Sequence, residues 1–191
     1  MVLFREQMGL FKLLSKTLGL KKTNVQILVI GLDNSGKTTL INHLKPRKSQ
    51  IKEVVPTIGF QVEQFSKANL NFTVFDMSGQ KRYRNLWETY YEDVKAIIFV
   101  IDATDAIRLC VVKDELQQLF MHHAIATKNV PILFFANKMD LPQALSPVEC
   151  MEQMELHTLE GKSWHITASD AITGQGVDEG IMWLAERFSK G

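Results

Sequence analysis

The densest chemistry in the chain lies in eight consecutive residues, Gly31-Leu32-Asp33-Asn34-Ser35-Gly36-Lys37-Thr38. Their spacing is G-x-x-x-x-G-K-[ST], with an apolar run before it (25–30) and a helical pattern after it (38–44). That strand–loop–helix setting is what a phosphate-binding loop requires. The glycines allow a tight turn whose backbone N–H groups converge on phosphate oxygens, and the following helix adds the positive end of its dipole. Lys37 supplies a mobile point charge for the outer phosphates, and Thr38 offers a hydroxyl to Mg²⁺. Residues Asp33, Asn34, Ser35, Gly36, Lys37, Thr38 and Thr39 are therefore expected to cradle a nucleoside triphosphate.

Two further stretches complete such a site. Asp76-Met77-Ser78-Gly79-Gln80 ends a predicted strand. Asp76 can hold Mg²⁺ through water, and the N–H of Gly79 is free to face a γ-phosphate. Gln80 carries both a donor and an acceptor, so it can orient an attacking water without being a strong base. Asn137-Lys138-Met139-Asp140 ends another strand. A buried Asp140 carboxylate accepts from the N1–H and 2-amino groups of guanine and rejects adenine, which has neither donor. Asn137 either bonds the other edge of the base or ties the loop together, and the Lys138 stem can lie over the ring. Ala168, at the end of the last strand, offers a backbone N–H to the guanine carbonyl.

These loops need a scaffold of alternating strands and helices. Apolar runs predict strands at 25–30, 95–101, 130–136 and 163–167. Two more, 60–65 and 70–75, are joined by the polar link Ser66-Lys67-Ala68-Asn69 and read as a hairpin. One strand of an otherwise parallel sheet is thereby antiparallel at the edge. Helices are predicted at 107–123, with Asp105 as its cap, and at 177–188, with Ile181, Leu184, Ala185 and Phe188 on its buried face. Trp164 and His165 read as core and edge, and His122 and His123 as surface residues. The segment 82–91, with Tyr83, Leu86, Trp87, Tyr90 and Tyr91, divides between core and a partner-binding surface.

With 191 residues, 46% hydrophobic and 23% charged, the chain fits one soluble domain. Lys+Arg 22 against Asp+Glu 21 gives no basic field, so nucleic acid is not an expected partner. Cys110 and Cys150 lack metal-like spacing and read as reduced thiols. No secretory pattern, internal repeat or apolar run long enough to span a bilayer is found. In residues 1–22, Leu3, Phe4, Met8, Leu10, Phe11, Leu14 and Leu18 share one helical arc, and Arg5, Lys12 and Lys16 another. This predicts a basic amphipathic helix, docked on the core or lying on a membrane surface, with Lys21-Lys22 leading into a domain over 23–191. Translation from Met8 would expose Gly9 for acylation, although Leu13 stands where that motif prefers Ser or Thr.

The motifs GLDNSGKTT, PTIGF, DMSGQ, NKMD and TASDAITGQGV together resemble those of Arf/Arf-like small GTPases. The stretches FDMSGQKRYRNLWETYYEDVKAIIFVID and PILFFANKMDL look most like the ciliary branch that recruits the BBSome coat. The resemblance implies an α/β fold of three layers around a mostly parallel six-stranded sheet with one antiparallel edge strand. It implies a monomeric cytoplasmic switch that binds GTP/GDP with Mg²⁺, held by Thr38 and Thr57, and associates reversibly with membrane at the cilium or basal body. Slow hydrolysis through Gln80 and Lys37 would depend on an activating protein, and reloading on an exchange factor. Phe60, Phe75 and Tyr90 match the family's effector triad, with Phe75 where many relatives carry Trp. Met77-Ser78 replaces the usual Val-Gly, and Asp33 is an acid within the phosphate loop. Three rival readings are kept: a phosphate-loop ATPase or nucleotide kinase, a GTP-binding module with negligible hydrolysis, and a trafficking GTPase acting outside cilia.

Overall fold

The computed structural model describes residues 23–68 and 70–188. The predicted amphipathic helix and Gly9 lie outside the described residues. Six strands form one sheet: β1 (Thr23–Ile30), β2 (Phe60–Lys67), β3 (Leu70–Met77), β4 (Ala96–Asp102), β5 (Ile132–Asn137) and β6 (Trp164–Ala168). Their spatial order is β2-β3-β1-β4-β5-β6. All neighbouring pairs are parallel except β2 and β3, so the expected α/β sheet with one antiparallel edge strand is what forms.

Alternation along the strands divides the core into two layers. Leu28, Ile30, Ile97, Phe99, Ile101 and Phe134 face one side. There they meet α2 (Leu109–Met121), the short α3 (His123–Ala126) and α4 (Pro147–Gln153). Val25, Ile27, Val29, Ile98, Val100, Leu133 and Phe135 face the other side, against α1 (Lys37–Leu44) and α5 (Val177–Glu186). Because β4 and β5 are covered on both faces, they lack an exposed polar alternation.

Several boundaries differ from those expected. The hairpin strands run to Lys67 and Met77, so two residues rather than four separate them in sequence. Pairing pulls Ser66 and Lys67 into the ladder, opposite Asn71 and Leu70. The helix expected over 107–123 begins as a 3-10 turn at Ala106–Arg108 and breaks at His122. Asp105 does cap it, accepting from the Arg108 N–H at 3.2 Å. His122 is not a plain surface residue: it is half-buried edge-on to Tyr91, and its Nδ1 accepts from the Ala124 N–H at 3.3 Å. The final helix stops at Glu186, with Phe188 still packed on the core beyond it. Helix α4 has no counterpart in the sequence reading, although Ser146 and Glu149 form a capping box with Pro147 in the first turn.

Register decides where function can sit. Asp76 pairs with Val29, Asn137 with Asp102 and Ala168 with Ala136. The parallel strands therefore end level, and the loops after them share one rim of the sheet, where ligands of open α/β sheets bind.

The closeness of α5 to that sheet is set by Gly180. A Cβ there would stand 2.7 Å from the Phe135 ring and 3.0 Å from Thr167 Cγ2. Alanine gains about 1 kcal/mol of helix propensity, but overpacking a buried ring costs about 1–3 kcal/mol. The Gly180→Ala variant is expected to lose on the order of 1 kcal/mol in urea unfolding.

Candidate nucleotide-binding site

The phosphate loop leaves β1 at Gly31 and enters α1 at Lys37. Gly36 has φ +94, a left-handed conformation that suits glycine. A side chain there would also collide with the Asn137 amide. Asn34, exposed at the tip of the loop, also has a positive φ of 63°. Ser35 is buried, and its Oγ has no hydrogen-bond partner. Thr38 and Thr39 stand half-buried in the first turn of α1.

Lys37 departs from expectation. It is not a mobile charge: only 6% exposed, it donates to the Leu32 carbonyl at 2.7 Å. Burial lowers its pKa to about 8, against the opposing pull of Asp76 and Asp33. A cation held at such a cost is poised to be stabilised by phosphate oxygens.

Beside it, Asp76 ends the hairpin and is buried. Its Oδ2 accepts from Thr38 Oγ1 at 2.6 Å and from Thr57 Oγ1 at 3.4 Å, and the two threonine hydroxyls lie 2.9 Å apart. Desolvation raises the Asp76 pKa. Its Oδ1 is buried without a partner. Residues 38, 57 and 76 are thus gathered from three segments into one oxygen cluster.

Gly79 packs directly on the phosphate loop, so closely that a Cβ would collide with the backbone of Leu32 and Asp33. Gln80 is half-buried, and its Oε1 accepts from Arg82 Nε at 3.1 Å. Its amide oxygen is therefore engaged rather than free.

Next to the phosphate loop, Asn137 ties loops together. Its Nδ2 donates to the Ser35 carbonyl at 2.8 Å, and its Oδ1 accepts from Ser169 Oγ at 3.2 Å and the Ala171 N–H at 3.0 Å. Lys138 has φ 68 and pairs with Asp102 at 2.6 Å. The Met139 N–H donates to the Ser169 carbonyl, bringing the loop after β5 against the loop after β6, where Ala168 ends its strand. Asp140 is exposed at the rim of the sheet.

Sequence reasoning missed two arginines. Arg108 Nη1 reaches Asp33 Oδ1 at 3.2 Å while its Nε pairs with Asp105. Arg84 lies 3.9 Å from the same Asp33 oxygen and pairs with Glu115 at 2.8 Å. The i,i+3 spacing of Asp105 and Arg108 was a usable local signal. Nothing local pointed to Arg84, whose acidic partner lies 31 residues away.

Comparison with known proteins places this geometry. The ADP-ribosylation factor family profile matches residues 10–188. The chain belongs to the ADP-ribosylation factor family. Over 181 residues, 95% of this chain and 97% of the relative, it is 55% identical to ADP-ribosylation factor-like protein 6 of Danio rerio. It is 40% identical over 183 residues, 96% of both chains, to the protein of that name in Caenorhabditis elegans. The Trypanosoma brucei small GTPase Arl6 (BBS3), solved with bound GppNp, superposes with a TM-score of 0.82 at 46% identity. That likeness covers 88% of this chain and 99% of that one. This member of the ADP-ribosylation factor family is a regulatory GTPase that binds GTP and GDP.

The depressed Lys37 pKa has a measurable consequence. Between about 8 and the ordinary 10.5, the unfolded chain holds a proton that the folded one has released. Stability of the nucleotide-free protein therefore rises with pH in that range. The buried Cys150 thiol and Tyr91 phenol, both titrating above their usual values, oppose the rise once pH passes about 9 and about 10 respectively. Thermal unfolding from pH 8 to about 9 is expected to show the gain, and Lys37→Met to lack it.

Proposed function

We propose that this chain is a Mg²⁺-dependent GTP switch that binds membrane reversibly and, when GTP-bound, recruits a coat or effector of the BBSome type in ciliary traffic. The carrying observation is the junction at Thr57. Its hydroxyl joins Thr38 and Asp76, while the next residue, Ile58, is 72% exposed. The same short segment thus connects the oxygen cluster to the surface.

The oxygen cluster suits a hard cation. Two hydroxyls converge on a carboxylate whose second oxygen is buried and unpaired. Thr38 and Thr57 would ligate Mg²⁺ directly and Asp76 through water. Bound there, the ion would neutralise charge on the outer phosphate oxygens. Lys37 would hold those oxygens, and Asp140, exposed at the rim, would close on the guanine edge as the base arrives, with the Ala168 N–H on its carbonyl. The Asp140 pairing disfavours an ATPase or nucleotide kinase.

The effector surface begins two residues beyond Ile58. Phe60 is 44% exposed and packs on Tyr90 at 5.5 Å between ring centroids, with Phe75 against the same ring at 4.6 Å. Trp87 and Tyr91 from the same segment are buried, so the aromatic cluster divides between core and surface. Val62, half-exposed on the same strand as Phe60, extends the apolar area toward the hairpin turn.

Slow turnover agrees with the arginines. Arg84 and Arg108, the two guanidinium groups that approach the phosphate loop at Asp33, are both paired with carboxylates, so neither is free for transition-state charge. An activating protein would supply one, and Gln80 would have to leave Arg82 to orient water. Among the described residues no helix is long and apolar enough to cross a membrane, so the amphipathic residues 1–22 carry the membrane proposal.

The deciding experiment is affinity capture from ciliated cells with GppNp-loaded and GDP-loaded protein. The expected outcome is a coat complex held by the first form only; equal capture by both would refute a nucleotide switch. The Gln80→Leu variant is expected to keep GTP affinity while single-turnover hydrolysis with an activating protein falls by about 100-fold or more. Removal of residues 1–20 is expected to abolish GppNp-dependent sedimentation with liposomes; undiminished sedimentation would separate membrane binding from that segment.

A further inference from the structure

The Gly79 N–H is the one group of the turn after β3 that the protein leaves unanswered. Around it, the Ser78 N–H donates to the Gly59 carbonyl at 2.9 Å, and the Gln80 N–H to Ser78 Oγ at 3.4 Å. The Ser78 carbonyl accepts from Trp87 Nε1 at 3.1 Å. The Gly79 carbonyl accepts from Arg84 Nε at 2.9 Å. Gly79 is itself buried, yet no acceptor takes its N–H among the described residues. A buried, unpaired N–H is costly and rare unless a ligand satisfies it.

We propose that Trp87 is a positioning residue for GTP over GDP: its indole N–H fixes the 78–79 peptide so that the Gly79 N–H is preset toward the terminal phosphate. The inference rests on the switch reading above and names the residue that sets its phosphate selectivity. A trans peptide is planar, with its C=O and N–H pointing to opposite sides. Tying the Ser78 carbonyl to the indole therefore turns the Gly79 N–H away from it. Gly79 at the same time lies against the backbone of Leu32 and Asp33, which places that N–H beside the phosphate loop.

The indole cannot drift. Trp87 is 2% exposed and stands edge-on to Phe99 at 6.4 Å between ring centroids. Its Nε1 can only donate, so it holds one orientation of the peptide and rejects the flipped one, which would turn an N–H toward it. Arg84 holds the following carbonyl while Glu115 of α2 holds Arg84, so the turn is fixed at two successive peptides. The hydrogen bond from Ser78 to Gly59 joins this preset turn to the segment carrying Thr57. A diphosphate lacks the group that the Gly79 N–H meets, so the constraint acts on GTP alone.

The test uses the full chain with two variants: Trp87→Phe, and position 87 substituted by 3-benzothienylalanine, which keeps the indole shape and replaces N–H by sulfur. Affinities for GDP and GppNp are measured by displacement of a fluorescent nucleotide. In both variants GppNp affinity is expected to fall by about tenfold or more, and GDP affinity to stay at the wild-type value. A parallel fall for both nucleotides would assign Trp87 a purely structural role and overturn the proposal, as would unchanged GppNp binding in the isosteric variant. Wild-type protein unable to bind GppNp would instead refute the switch reading, and this inference with it.

Discussion

The site depends on one primary amide. Asn137 spends its side chain on three backbone or side-chain partners drawn from the phosphate loop and from the loop after β6. Three loops that meet only at the rim of the sheet are thereby held as one body. The contact is close enough to require glycine at position 36, because any side chain there would displace the amide. A buried polar network of this kind rigidifies when every member is satisfied and is costly when one is removed. Recognition of the base and of the phosphates is therefore mechanically linked before any nucleotide arrives.

Beside this half stands a second, in which Thr57 is held by hydroxyl–carboxylate contacts at Asp76 and Thr38, while the Ser78 carbonyl accepts from Trp87 and the Gly79 carbonyl from Arg84. These groups belong to segments flanking the edge hairpin, whose outer strand β2 pairs on one side only. Fewer neighbours make such a segment the part of the sheet that can reorganise at least cost. The division fits the proposed switch, in which one half would retain nucleotide and the other would report what stands beyond the second phosphate.

The electrostatics balance two opposing needs. Lys37 stays buried near Asp76 and Asp33, and the loop acid Asp33 is in turn covered by Arg108 and approached by Arg84. Positive charge is thus close to the phosphate loop yet already answered by carboxylates. Such an arrangement holds anions while keeping Arg84 and Arg108 committed to carboxylates. It gives the acid in the loop a physical role that local sequence does not show, since Arg84 lies 51 positions from Asp33 and Arg108 75.

Much of the molecule was legible in the residues themselves. The phosphate loop, the acid ending β3 and the Asn-Lys-Met-Asp run are local motifs, because the backbone geometry they need is set by glycines and strand ends close by. Apolar runs located all six strands, and the hairpin identified the antiparallel edge. Tertiary structure alone decided the rest. It tied Asn137 to the phosphate loop and to the loop after β6, left Asp140 exposed and anchored Lys37 on a carbonyl. It also divided the aromatic segment, burying Trp87 beneath the turn it supports and leaving Tyr90 beside Phe60 at the surface. The Asn137 partners lie 32 to 102 residues away, beyond the reach of any local pattern. Local periodicity shows which side chains face inward, but not which polar atoms they will meet there.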